Sequence, residues 1–163
     1  MTIKQAFVLI NQTIVIGEFM DVAVGFKKTD PEARVPTYGS KEAACFDFYT
    51  LEKTHFHANE KKLVRTGIIL DIPQGYEVQI RPRSGISLKS PLRIPNAPGT
   101  IDSDYSGECF IMLHNMSSDE FTIDKYDRIA QGKLSLVYRA NFYEINELKQ
   151  TERGSGGMGS TGR

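Results

Sequence analysis

At 163 residues, with 40% hydrophobic and 25% charged side chains, the chain has the size and composition of one globular domain. Twenty Lys and Arg balance twenty Asp and Glu, so there is no bulk positive charge to hold a nucleic acid, and any grip on phosphate must be local. Two cysteines exclude a disulfide framework, and no stretch approaches the ~20 apolar residues of a membrane span.

Residues 1–21 form a first unit, an N-terminal extension. Phe7–Ile10 and Thr13–Phe19 predict a β-hairpin turning at Asn11-Gln12. Its apolar run is short and lacks a small-residue cleavage site, so a signal peptide is not expected from it. The expectation is an intracellular, cytoplasmic protein, or host-cytoplasmic if viral. Residues 22–150 read as an all-β body. Val22–Phe26, Phe46–Thr50, Gly67–Ile72, Tyr76–Ile80, Glu108–Leu113, Phe121–Ile123 and Ile129–Tyr138 are short β-branched and aromatic runs. Pro73-Gln74-Gly75, Pro82, Pro91, Pro95 and Pro98-Gly99 punctuate them at the spacing of a sandwich or barrel. No segment beyond about two turns has helical periodicity, and a two-sheet jelly roll is the expected architecture. Residues 151–163 form an arm. Arg153–Arg163 has five glycines and one large apolar residue, Met158, and cannot bury enough surface to fold alone. Either it is a solvated tail, or its glycine N–H groups make an anion nest beside Arg153.

Arg81-Pro82-Arg83-Ser84-Gly85 reads as a turn offering guanidiniums, a hydroxyl and free N–H groups. It suits a phosphate, although a surface β-turn explains it equally. In Gly99–Tyr105, a hairpin would put Asp102 and Asp104 on one face and Tyr105 on the other. His55 and His57 form an i, i+2 pair of the kind some metal sites use, and nothing in the sequence brings His114 near them.

In combination these segments say more. Ala44-Cys45-Phe46-Asp47-Phe48, Pro82-Arg83-Ser84-Gly85-Ile86-Ser87, Gly99–Glu108, Tyr126-Asp127-Arg128-Ile129-Ala130-Gln131 and Arg153–Gly162 follow one another along the chain. Motif by motif and in order, this resembles the trimeric dUTPase family, and Lys28–Tyr38 is similar to that family's opening segment. The resemblance implies a jelly-roll-like β-clip homotrimer with three shared sites. There one subunit supplies the uracil hairpin, a second the phosphate loop and a third the closing arm. The implied reaction is hydrolysis of dUTP to dUMP and pyrophosphate, which limits uracil in DNA and supplies dUMP for dTMP synthesis.

The resemblance also implies roles. Asp102 is the general base for a water attacking the α-phosphorus. Arg83, Ser84, Gly85 and Gln131 contact phosphates. Mg²⁺ is the cofactor, carried on the phosphate oxygens, with Asp47 in its outer shell through a water. Asn96 and the main chain of Gly99, Thr100 and Ile101 read uracil; Tyr105 packs under the deoxyribose; and Phe110 either touches the nucleotide or belongs to the core. Arg153, Ser155, Gly157, Met158, Gly159 and Ser160 belong to the arm that closes over the substrate. Asp127 and Arg128 are expected to form a structural ion pair. The chain departs from the family pattern at Cys45, Ser106, Gly132 and Met158, the last where relatives place Phe against uracil.

Two alternatives remain. A dCTP deaminase shares the fold, but its catalytic Glu aligns with Met112 here. A dUTPase-like regulatory module would bind a protein partner through residues 1–21. The expected partners are dUTP and further copies of the chain, with no nucleic acid and no membrane.

Overall fold

A computed structural model describes residues 21–157, and the expected hairpin of residues 1–21 lies outside them but for Asp21. In chain order the elements are β1 (Gly25–Lys28), β2 (Thr37–Tyr38), β3 (Phe46–Tyr49), β4 (Thr54–Phe56), β5 (Lys61–Val64), β6 (Ile68–Asp71) and β7 (Tyr76–Arg81). There follow α1 (Ser84–Lys89), β8 (Leu92–Arg93), β9 (Gly99–Asp102), β10 (Ile111–Asn115), β11 (Phe121–Ile123) and β12 (Arg128–Leu136). Every strand pair among the described residues is antiparallel. The largest sheet runs β2-β3-β12-β7-β9, a second runs β5-β10-β8, and β1-β6 and β11-β4 form two ribbons.

Alternation builds the core between them. In β7 Val78 and Ile80 point inward, and in β10 Ile111, Leu113 and Asn115 do. They meet Phe48, Phe56, Val64, Ile68, Leu92 and Ile129, all essentially without solvent contact. The buried Asn115 amide is fully used: Nδ2 donates to the carbonyls of His57 (2.9 Å) and Asp119 (2.7 Å), and Oδ1 accepts from Ser117.

The all-β expectation holds, with local corrections. Gly132, which follows Gln131 on β12, is opposed by Phe46, and that ring fills the space above it. A Cβ there would overlap the Phe46 ring and come within 2.8 Å of Phe48 Cε2. Arg81–Gly85 is not simply a surface turn, since Ser84 and Gly85 open the short helix α1. Nor is Asn96–Tyr105 a hairpin: β9 pairs with β7, and the chain then turns, Tyr105 N–H bonding the Asp102 carbonyl at 3.2 Å. The strand ends at Asp102, so Asp104 does not share a strand face with it. The run expected from Glu108 begins only at Ile111, because the preceding residues bond across the fold, Cys109 N–H to the Ile68 carbonyl at 2.7 Å.

The β12 ladder closes at Leu136, and residues 137–157 carry no strand or helix. Their Tyr138, Phe142, Tyr143 and Leu148 are almost wholly exposed.

Candidate active site

Four residues lie in one row across the large sheet: Thr37, Asp47, Gln131 and Arg81, on β2, β3, β12 and β7. Directly opposed residues project to the same face, so the buried Asp47 carboxylate and the Gln131 amide both reach the segment that follows β7. Arg83 Nε donates to Asp47 Oδ1 at 2.6 Å, and Gln131 Nε2 donates to the Pro82 carbonyl at 2.8 Å. Arg128 donates to Asp47 Oδ2 at 3.3 Å. The expected Asp127–Arg128 pair is therefore corrected. Asp127 Oδ2 instead accepts from the Asp124 N–H, and Arg128 turns to the carboxylate on the neighbouring strand.

One carboxylate between two guanidiniums leaves this edge positive, and the opening N–H groups of α1 have no partner within the helix. Gly85 faces open space. The arrangement suits a polyanion held by Arg83 and by the Ser84 and Gly85 donors.

Asp102 lies at the far end of β7 from that loop. Its register partner is Glu77, whereas Arg81 leads into the loop, about 14 Å away at ~3.4 Å per residue. A groove of about 680 Å³ opens beside Asp102, lined by Tyr76, Ser103, Asp104, Val137 and Arg139 among others. Among the described residues β9 is an edge strand, one side of its main chain having no strand partner there. Gly99 and Ile101 are buried while Thr100 and Asp102 are exposed. Asn96 adjoins Gly99, its Nδ2 3.2 Å from where a Gly99 Cβ would lie. Main-chain N–H and C=O groups with an amide side chain beside them form a set able to match a base edge.

Tyr105 folds back over Gly107, where a Cβ would collide with the phenol, and its hydroxyl donates to the Glu108 carbonyl at 3.0 Å. The ring face stays half exposed. Glu108 is itself pinned. Its carboxylate accepts from Arg65 Nη2 (3.0 Å), Gly67 N–H (2.9 Å) and Thr29 Oγ1 (2.9 Å). Burial pushes that carboxyl up, but the hydrogen bonds outweigh it, Arg65 foremost, and hold it below the usual carboxylate range. The Glu108–Arg65 pin escapes sequence reading, since its partners are 43 residues apart and Arg65 lies outside every motif.

Phe110 is 41% exposed and is not a core residue. Cys109 is buried and its thiol pushed up to about 11, which removes it as a nucleophile. In the arm, Arg153 Nε donates to the Gly156 carbonyl, and Ser155 makes no side-chain hydrogen bond among the described residues. Met158, Gly159 and Ser160 lie outside the described residues.

The donors around Asp47 fit Mg²⁺ only in an outer role. Each Asp47 oxygen already accepts from a guanidinium, which opposes direct coordination but leaves lone pairs for a metal-bound water.

Residues 31–162 match the family model for dUTPase. The chain is 49% identical over 137 residues to the deoxyuridine 5'-triphosphate nucleotidohydrolase of Nautilia profundicola, covering 84% of this chain and 96% of that protein. It is 42% identical over 148 residues to the Wolinella succinogenes protein of the same name, covering 91% of this chain and 99% of the relative. Among solved structures, a Staphylococcus bacteriophage 80alpha dUTPase variant with dUpNHpp superposes with a TM-score of 0.80. It is 25% identical, covering 86% of this chain and 99% of the phage protein.

Proposed function

The chain belongs to the dUTPase family and hydrolyses dUTP to dUMP and pyrophosphate, and we propose that Asp102 is the base for water attack on the α-phosphorus. Its carboxylate accepts the proton as the water attacks. Arg83, aimed by Asp47, and the main-chain donors of Ser84 and Gly85 neutralise the phosphates, while Gln131 braces that loop through Pro82. When bound with the triphosphate, Mg²⁺ supplies further charge neutralisation, and Asp47 is the carboxylate that would reach it through a water. The outer edge of β9 with Asn96 reads uracil, and Tyr105, locked to the Glu108 carbonyl, forms the floor for the deoxyribose.

The observation that carries the reading is the separation of Asp102 from the phosphate loop along β7. A nucleotide spanning both functions is served by the base of one copy and the loop of another, as in a homotrimer with shared sites. The exposed apolar side chains of Tyr138, Phe142, Tyr143 and Leu148 then dock on a neighbour, and the arm with Arg153, Ser155, Gly157, Met158, Gly159 and Ser160 closes over the substrate. Such an enzyme acts in the cytoplasm, where it meets the nucleotide pool.

The test is pyrophosphate release from each deoxynucleoside triphosphate with Mg²⁺. Selective turnover of dUTP by a trimer is expected. Equal hydrolysis of dCTP, ammonia release from it, or an active monomer overturns the corresponding part. Deamination is disfavoured by Met112, half-buried in β10 where that chemistry needs a carboxylate.

A further inference from the structure

Away from the catalytic sheet, the β4–β11 ribbon carries His55, His57 and Glu120, which each offer a ligand atom, all within 4.8 Å of one another. We infer that these three side chains form a binding site for a divalent transition ion of the Zn²⁺ type, independent of the Mg²⁺ that accompanies the substrate.

The geometry assembles from two distant stretches of chain. His55 pairs in register with Thr122, and Glu120 enters β11 just before it. Glu120 Oε1 lies 3.0 Å from His57 Nδ1, and Oε2 lies 3.5 Å from His55 Nε2. The two imidazoles meet edge to face with centroids 5.1 Å apart, so the carboxylate bridges two ring nitrogens. Two imidazoles and one carboxylate are a Zn²⁺ donor set that leaves further positions for water. Mg²⁺ prefers all-oxygen surroundings and does not suit it.

Two further features prepare the site. His55 Nδ1 lies 3.0 Å from Thr122 Oγ1, and donation to that hydroxyl leaves the Nε2 lone pair toward Glu120. The buried Asn115 amide clamps the carbonyls of His57 and Asp119, the latter adjoining Glu120. The backbone on both sides of the site is thus held from the core rather than left to a surface loop. Lys62, the nearby cation, has its charge matched by Glu60 at 3.2 Å. The ion takes the place of the proton that His57 shares with Glu120, and the ring keeps its other nitrogen protonated.

The experiment titrates Zn²⁺ calorimetrically into the full-length, metal-stripped protein with Mg²⁺ present. One ion per chain with micromolar affinity is expected, together with a zinc-dependent rise in Tm. His57→Ala and Glu120→Gln should each weaken binding at least ~10-fold, and Thr122→Val by about 10-fold through its effect on His55 alone. All three should retain Mg²⁺-dependent dUTP hydrolysis, which certifies the fold. Substituted Co²⁺ should give the visible spectrum of nitrogen and oxygen ligation. The inference is overturned if Zn²⁺ fails to bind, if binding survives both ligand substitutions, or if Co²⁺ shows a thiolate charge-transfer band, which would put the ion on cysteine.

Discussion

Arg83 Nε donates to Asp47 Oδ1 at 2.6 Å, so the arginine of the segment that follows β7 is aimed by a carboxylate on the far side of β12. Asp47→Asn keeps the shape but removes the charge that orients both Arg83 and Arg128. Charge-assisted bonds of about 1.5–3 kcal/mol predict a loss of roughly 10- to 100-fold in kcat/KM. Steady-state kinetics at several Mg²⁺ concentrations separate its two roles. An unchanged Mg²⁺ optimum means that Asp47 acts by aiming Arg83, and a raised one means that it also holds a metal-bound water.

Asp102→Asn should bind dUTP with near-native affinity and lower kcat by ~10²- to 10⁴-fold, the usual worth of a positioned base. Calorimetry with a non-hydrolysable dUTP analogue gives the binding, and single-turnover kinetics the rate. A near-native rate would move the base to another residue.

Glu108→Gln should lower Tm at neutral pH and raise KM for dUTP, because Glu108 also carries the carbonyl that locks Tyr105. The pH dependence has a definite sign. The folded carboxyl lies below its unfolded value, so its stabilisation is complete above the ordinary carboxyl range near ~4.3 and fades as pH falls through the folded value. The Tm difference between the native protein and the variant should therefore be constant from neutral pH down to about 5 and shrink below ~4. Thermal scans across that range measure it.

These residues show where sequence reading succeeds. Phe46–Tyr49, Tyr76–Arg81 and Ile68–Asp71 were recognisable as strands from β-branched and aromatic content, which burial of alternate residues requires. Lys61–Val64 and Leu92–Arg93 were not, because one opens on two lysines and the other is two residues long, and both become strands only by pairing with β10. Asp102, Arg83 and Ser84 stand out as site candidates from motif order alone. Their partners do not: Arg128 meets Asp47 from 81 residues away, and Glu120 joins His57 across 63. Local spacing carries strand identity and motif chemistry, whereas ion pairing between strands is settled by register.

The last prediction concerns Gly132, where register and packing act on the site together. Glycine inside a strand normally weakens it, yet here the position opposite Phe46 admits nothing larger. Phe46 packs edge-on against Phe48 at 5.5 Å and against Tyr38 at 5.7 Å, so its ring has little room to yield. Gly132→Ala should cost about 1–3 kcal/mol by overpacking, a fall of several degrees in Tm. Phe46→Leu alone should also destabilise, since it thins the aromatic cluster. Combined with Gly132→Ala it should cost less than the sum, because the added methyl enters the space the ring vacated. Any displacement of β12 reaches the neighbouring Gln131 and, through its amide, the Pro82 carbonyl of the proposed phosphate loop. Gly132→Ala should therefore raise KM as well as lower Tm, and the double variant should recover part of both. Recovery of Tm without KM would mean that Gln131 does not brace the loop during turnover, and strict additivity would mean that the ring moves aside freely.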